Sequence, residues 1–168
     1  GIWQTVWMEA VAKTGLKEVY VQPDLDNSCF IMEPKFHALE EGLRLDIRVK
    51  DGGKVVAKKT VKATNPMIVT VPVKNVRTWS PESPFLYDIE YDVVDKDGNV
   101  VDQVSSYAGM RKIHVEGNRV YLNNKPLYLR MVLDQGFYPE GVWTAPSDEA
   151  LRRDIELSMS VGFNSARL

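Results

Sequence analysis

The chain is poor in the residues that mark the commonest sites. Its 168 residues include one cysteine, Cys29, and two histidines, His37 and His114. One cysteine excludes an internal disulfide, and Cys29 reads as a small buried hydrophobe rather than a catalytic thiol. Two isolated histidines with no second ligand at metal spacing give a metal site no support. No run approaches the ~20 apolar residues of a membrane span. No G-x-G-x-x-G, P-loop or G-x-S-x-G string occurs, and no cofactor is expected. The formal net charge is -2 with both signs interleaved, so there is no electrostatic case for nucleic-acid or membrane-surface binding. The chain opens on Gly1 with no Met and no signal peptide, which leaves localisation open.

What is present is β-rich. Ile2–Val11 has the Trp, Val and Thr content of a strand, and Lys13-Thr14-Gly15 is a plausible boundary after it. Lys17–Val21 and Cys29–Phe36 are strand-like. Leu43, Leu45, Ile47 and Val49 alternate with Arg44, Asp46, Arg48 and Lys50, one face dry and one wet. Asp51-Gly52-Gly53 turns the chain and Val55–Val61 returns. Met67 to Val73, Phe85 to Val93 and Val100–Tyr107 supply further strands, with Lys96-Asp97-Gly98-Asn99 as a second hairpin turn. About seven short strands with a turn signal every ~10 residues predict an immunoglobulin-like β-sandwich.

After Gly109 the pattern changes. Arg119–Leu122 and Pro126–Val132 read as strands joined at Asn123-Asn124. A polar and aromatic loop runs from Asp134 to Pro146. Ser147 caps a helix with Asp148 and Glu149 in its first turn, Leu151, Ile155 and Met159 form one apolar stripe, and Gly162 ends it. Phe163–Leu168 begins another strand. This is one β-α-β unit, with chemistry expected in the loop after its first strand. Such a unit buries its apolar faces only against further units. The chain is therefore expected to be part of a longer protein and to break off at Leu168. An uncovered stripe also leaves homo-oligomerisation open.

The string Trp79-Ser80-Pro81-Glu82-Ser83-Pro84-Phe85-Leu86-Tyr87 is by itself a rigid turn ahead of a strand. It resembles the W-x-P-x-x-P-x-L-Y signature of the immunoglobulin-like domain of glycoside hydrolase family 2, which includes β-galactosidases, β-glucuronidases and β-mannosidases. Three further segments agree in order. Gly1-Ile2-Trp3 with Val6 resembles the last strand of that family's jelly-roll domain. Ala108-Gly109-Met110-Arg111 resembles the closing F-G-x-R, with Ala108 in place of Phe. Leu122-Asn123-Asn124-Lys125-Pro126-Leu127 resembles the L-N-G-K-P hairpin, with Asn124 in place of Gly.

The resemblance implies a mainly β chain of three parts. Residues 1–12 would be the remnant last strand of a preceding jelly roll. Residues 13–112 would be the sandwich, and residues 113–168 the hairpin and first β-α-β unit of a truncated (β/α)8 barrel. It implies a longer retaining exo-β-glycosidase, β-galactosidase-like, acting on a β-linked sugar substrate in carbohydrate metabolism. Its two catalytic glutamates would lie beyond Leu168, ~5 Å apart as retaining hydrolysis requires, leaving this piece inactive alone. Arg167, in Asn164-Ser165-Ala166-Arg167, matches the family's N-x-x-R, and the resemblance implies that it supports the nucleophilic carboxylate; by itself it reads as an exposed arginine. Asp134 and Gln135 stand where the family has G-x-N-x-H, with Met131, Leu133 and Gln135 replacing the Gly, Asn and His. They are candidate sugar contacts, and Asp134 reads equally as a turn residue. Trp143, with Phe137 and Tyr138, could stack on sugar rings or pack its own loop. The alternative reading is a non-catalytic sandwich module binding carbohydrate or protein.

Overall fold

The computed structural model describes Ile2 and residues 5–168. Two compact units are distinguished. One comprises Ala10–His114 with Tyr121–Lys125; the other comprises Val115–Val120 and Pro126–Leu168 with the N-terminal residues to Glu9.

The first unit holds seven strands: β1 (Leu16–Asp24), β2 (Cys29–Phe36), β3 (Arg44–Asp51), β4 (Lys54–Lys62), β5 (Val69–Pro72), β6 (Tyr87–Val94) and β7 (Val100–Ala108). They form two antiparallel sheets, in the orders β1-β2-β5 and β4-β3-β6-β7. This is the immunoglobulin-like sandwich that the alternation predicts. Leu45, Ile47 and Val49 of β3 and Tyr87, Ile89, Tyr91 and Val93 of β6 face Phe30 and Met32 of β2 and Val69 and Val71 of β5 in one buried core. The intervening residues of β3 and β6 make a charged outer face. Arg48 donates from Nη1 to Asp92 Oδ2 at 2.6 Å and from Nε to Glu90 Oε2 at 3.0 Å. Gln103 of β7 donates to the other Asp92 oxygen at 2.9 Å, and Lys50 pairs with Glu90.

The two-proline string is a structural device. Ser80 and Ser83 exchange backbone hydrogen bonds at 3.0 Å, and Trp79 N–H donates to Met110 O at 2.9 Å. The buried Tyr87 hydroxyl accepts from Arg77 N–H at 2.7 Å, ten residues upstream, in the manner of a tyrosine corner. Gly109 lies against the Trp79 side chain, where a Cβ would come within 3.1 Å of it, and the Arg111 guanidinium sits 5.2 Å from the Trp79 ring. The A-G-M-R segment therefore closes the sandwich onto Trp79.

A three-stranded sheet follows in the order β10-β9-β8, from β8 (Ile113–Glu116), β9 (Arg119–Leu122) and β10 (Lys125–Leu127). Asn123 and Asn124 both have positive φ (51° and 61°), as a two-residue hairpin loop requires, so Asn124 serves where the resemblance expects glycine. Asn123 also holds the turn in place. Its Nδ2 donates to Trp79 O at 2.9 Å and its Oδ1 accepts from Lys112 N–H at 3.0 Å.

The second unit contains β11 (Met131–Leu133), α1 (Asp148–Ser160) and β12 (Ser165–Arg167), with β11 and β12 parallel. Ser147 caps α1 by accepting from Ala150 N–H at 3.2 Å. At its other end Gly162 (φ 94°) donates to Met159 O and Phe163 N–H to Ser158 O, the paired bonds of a Schellman stop.

Two expectations are corrected and one is met. Pro126–Val132 is two strands in different sheets, because Asn164 takes the backbone between them: its Oδ1 accepts from Arg130 N–H at 2.8 Å and its Nδ2 donates to Tyr128 O at 3.0 Å. Leu151, Ile155 and Met159 are exposed, as expected of a β-α-β unit with no further unit against it, and Ala150 and Ser158 are the less exposed positions of α1. The described part of Ile2–Val11 carries no ladder, since no described strand pairs with it; Gly1, Trp3 and Gln4 of that expected strand lie outside the described residues.

Candidate functional site

The parallel pairing of β11 with β12 sets the site. Register Leu133↔Arg167, extended by Asp134 N–H donating to Arg167 O at 2.9 Å, places Arg167 beside Asp134 at the C-terminal ends of two neighbouring strands. In parallel α/β architectures, ligands bind at this end. Asn164 was not singled out by the sequence. Its triple hold on Tyr128 and Arg130 (the third bond is Asn164 N–H to Arg130 O at 3.0 Å) fixes the register that brings Arg167 there. Its signal was the N-x-x-R string itself, in which only the arginine was given a role.

Beyond β11 the chain forms a cleft of about 500 Å³ lined by Val132 to Phe137 and by Asp154, Leu157 and Ser158 of α1. Asp134 and Gln135 are both in it. Asp134 has a local duty too: its Oδ1 accepts from Gly136 N–H at 2.8 Å, an Asx turn that starts the loop. Trp143 does not line the cleft; its ring meets Phe137, which does, edge to face at 6.3 Å. The structure thus groups Asp134, Gln135 and Phe137, attaches Trp143 through Phe137, and joins Arg167 through the backbone of Asp134.

The loop is pinned. Tyr138 donates its hydroxyl to Asp154 Oδ2 at 2.7 Å, and this carboxylate pushes the phenol's pKa up. Tyr138 and Val142 exchange backbone bonds at 2.9 and 2.8 Å, and Thr144 N–H donates to Gly141 O at 2.9 Å. Val142 has φ 57°, a costly conformation for a β-branched residue. A Cβ at Gly141 would fall 2.0 Å from Thr144 O. Gly141→Ala is therefore expected to open the tight turn, speeding amide exchange at Val142 and Thr144 by about tenfold or more while leaving β3 and β6 amides unchanged. Site-resolved hydrogen exchange checks this. Among the described residues, no group of three or more His, Cys, Asp or Glu is placed to hold a metal, and no helix is long and apolar enough to cross a membrane.

A sandwich, a hairpin and a parallel β-α-β unit thus follow one another along the chain, with polar and aromatic residues at the strand ends of the last. The family model described as Glycosyl hydrolases family 2 matches residues 14–111, and the chain belongs to that family. It is 25% identical over 183 residues to the β-galactosidase of Photobacterium profundum, covering 99% of this chain and 18% of that protein. To the β-galactosidase of Lactococcus lactis it is 26% identical over 170 residues, covering 99% and 16%. To that of Enterobacter cloacae it is 32% identical over 102 residues, covering 60% and 10%. The chain thus spans less than a fifth of the length of these curated relatives. The structure of a β-glucuronidase from Ruminococcus gnavus in complex with D-glucuronic acid shares the fold, with a TM-score of 0.78 at 23% identity over 94% of this chain and 26% of that one.

Proposed function

We propose that this chain serves a retaining exo-β-glycosidase, β-galactosidase-like, in which residues 13–112 are a buttressing sandwich and residues 113–168 open the catalytic (β/α)8 barrel. Residues 1–12 fit the end of a preceding jelly roll. The catalytic acid/base and nucleophile are carboxylates outside these 168 residues, so the chain alone is inactive. Arg167 is a positioning residue whose guanidinium forks onto the nucleophilic carboxylate and holds it charged. Asp134 and Gln135 hydrogen-bond sugar hydroxyls, and Trp143, braced by Phe137, stacks on the ring. The observation that carries this reading is the Leu133↔Arg167 register, which sets Arg167 next to the cleft containing Asp134 and Gln135.

The test is steady-state hydrolysis of aryl β-glycosides by the longer polypeptide that contains this chain. Arg167→Ala is expected to lower kcat by about ten- to hundredfold with little change in KM and to shift the acidic limb of the kcat profile upward, because the nucleophile loses the cation that keeps it ionised. Arg167→Lys is expected to recover part of both. A kcat within twofold of the parent value and an unmoved acidic limb would remove Arg167 from the mechanism.

A further inference from the structure

The edge strands β1 and β7 belong to different sheets and touch, with the start of one at the start of the other and end near end. At their starts they are tied: Leu16 N–H donates to Asp102 Oδ2 at 2.8 Å, and Gly15 is packed so closely on that carboxylate that a Cβ would lie 2.8 Å from it. Toward their ends they part around a groove of about 380 Å³, inside the range of small-ligand sites. Tyr20 and Tyr107 line it with 62% and 68% of their surface open. Gln22, Pro23, Arg111 and Ile113 line it as well.

The other outer edges of the sandwich are blunted against strand addition. β4 carries Lys54, Lys58, Lys59 and Lys62, and β5 is four residues long and ends in Pro72. The β1/β7 edge instead presents two exposed aromatic rings beside an amide and a guanidinium. No carboxylate is among the described lining residues, and the one cation, Arg111, already lies over the Trp79 ring. The lining therefore offers flat apolar faces for stacking and several neutral or fork-like donors, with no strong net field. That chemistry suits a neutral, hydroxyl-rich ligand. A polypeptide strand added along β1 would meet Pro23, which has no N–H to give the ladder.

We propose that this groove is a second carbohydrate site, in which Tyr20 and Tyr107 stack on the rings of a neutral oligosaccharide while Gln22 and Arg111 bond its hydroxyls. It is separate from the cleft beyond β11 and stands whether or not that cleft works as proposed. Amide shifts of the 168-residue chain, titrated with lactose and with cellobiose, test it. Saturable shifts are expected at residues 20–22 and 107–113. Tyr20→Ala and Tyr107→Ala should each weaken binding about tenfold with an unchanged thermal midpoint, and Trp143→Ala should leave it unchanged. Absence of saturable shifts with either sugar overturns the proposal. Shifts confined to residues 134–143, or groove amides that respond only to an extended peptide, overturn it as well.

Discussion

Tyr87→Ala is expected to cost the sandwich about 3–5 kcal/mol, the range for removing a fully buried aromatic. The side chain is 1% exposed and joins several parts of the first unit at once. Its ring packs edge to face on Phe30 of β2 at 5.7 Å and on Phe85 at 4.8 Å. Its hydroxyl accepts from Arg77 N–H at 2.7 Å, fixing the segment that enters the two-proline turn. Tyr87→Phe keeps the packing and leaves that backbone donor without its partner, so about 1–2 kcal/mol is expected. Urea unfolding of both variants separates the two contributions. Equal losses would mean that the hydroxyl, and not the ring, carries the stability.

Asp92→Ala is expected to cost about 3 kcal/mol, mainly because it strips the half-buried Arg48 of its shortest hydrogen bond. Asp92 is 7% exposed although it lies on the outer face of β6. Arg48, and then Gln103, hold its carboxyl below the usual aspartate value against the opposing effect of burial. A depressed folded value means that the unfolded chain binds the proton more readily. The stabilisation is thus complete above about pH 4 and is lost as pH falls through the folded value. Asp92→Asn should flatten the loss of stability between neutral and acid pH. It should not abolish it, since Glu90, Asp24 and Asp95 are lowered in the same direction by their own partners. Denaturant midpoints across that range, compared between parent and Asn variant, check the sign. A parallel pair of curves would show that Asp92 is not a source of acid sensitivity.

The sandwich was legible because period-two alternation records which face of a strand is dry; β3 alternates through Val49 and β6 as far as Tyr91. The string from Trp79 to Tyr87 was legible as a rigid turn, but its partners were not. That Gly109 and Arg111 flank Trp79, and that Asn123 reaches Trp79 O, are contacts between residues tens of positions apart, which no local pattern encodes. The same holds for the groove between β1 and β7: Tyr20 and Tyr107 look like ordinary strand residues until the topology sets their edges side by side.

At the site, Asp134, Gln135 and Arg167 could be chosen from the β-α-β grammar together with the family resemblance, and the parallel register brings them to one end. The split of Pro126–Val132 was hidden because it depends on Asn164, a side chain that substitutes for ladder bonds more than thirty residues upstream. The stripe Leu151, Ile155, Met159 had the right period for a buried face. A helix with that period still stays exposed when no described element packs on it.

Hydrolysis of an aryl β-galactoside tests the central claim most directly, with the purified 168-residue chain assayed beside the longer polypeptide that contains it. No turnover by the chain above an inactivated control is expected. Turnover on the order of 1–10³ s⁻¹ is expected of the longer polypeptide, reduced about ten- to hundredfold by Arg167→Ala. Turnover by the 168-residue chain itself, once host enzyme is excluded, would contradict that claim, and so would a longer polypeptide with no activity on any aryl β-glycoside.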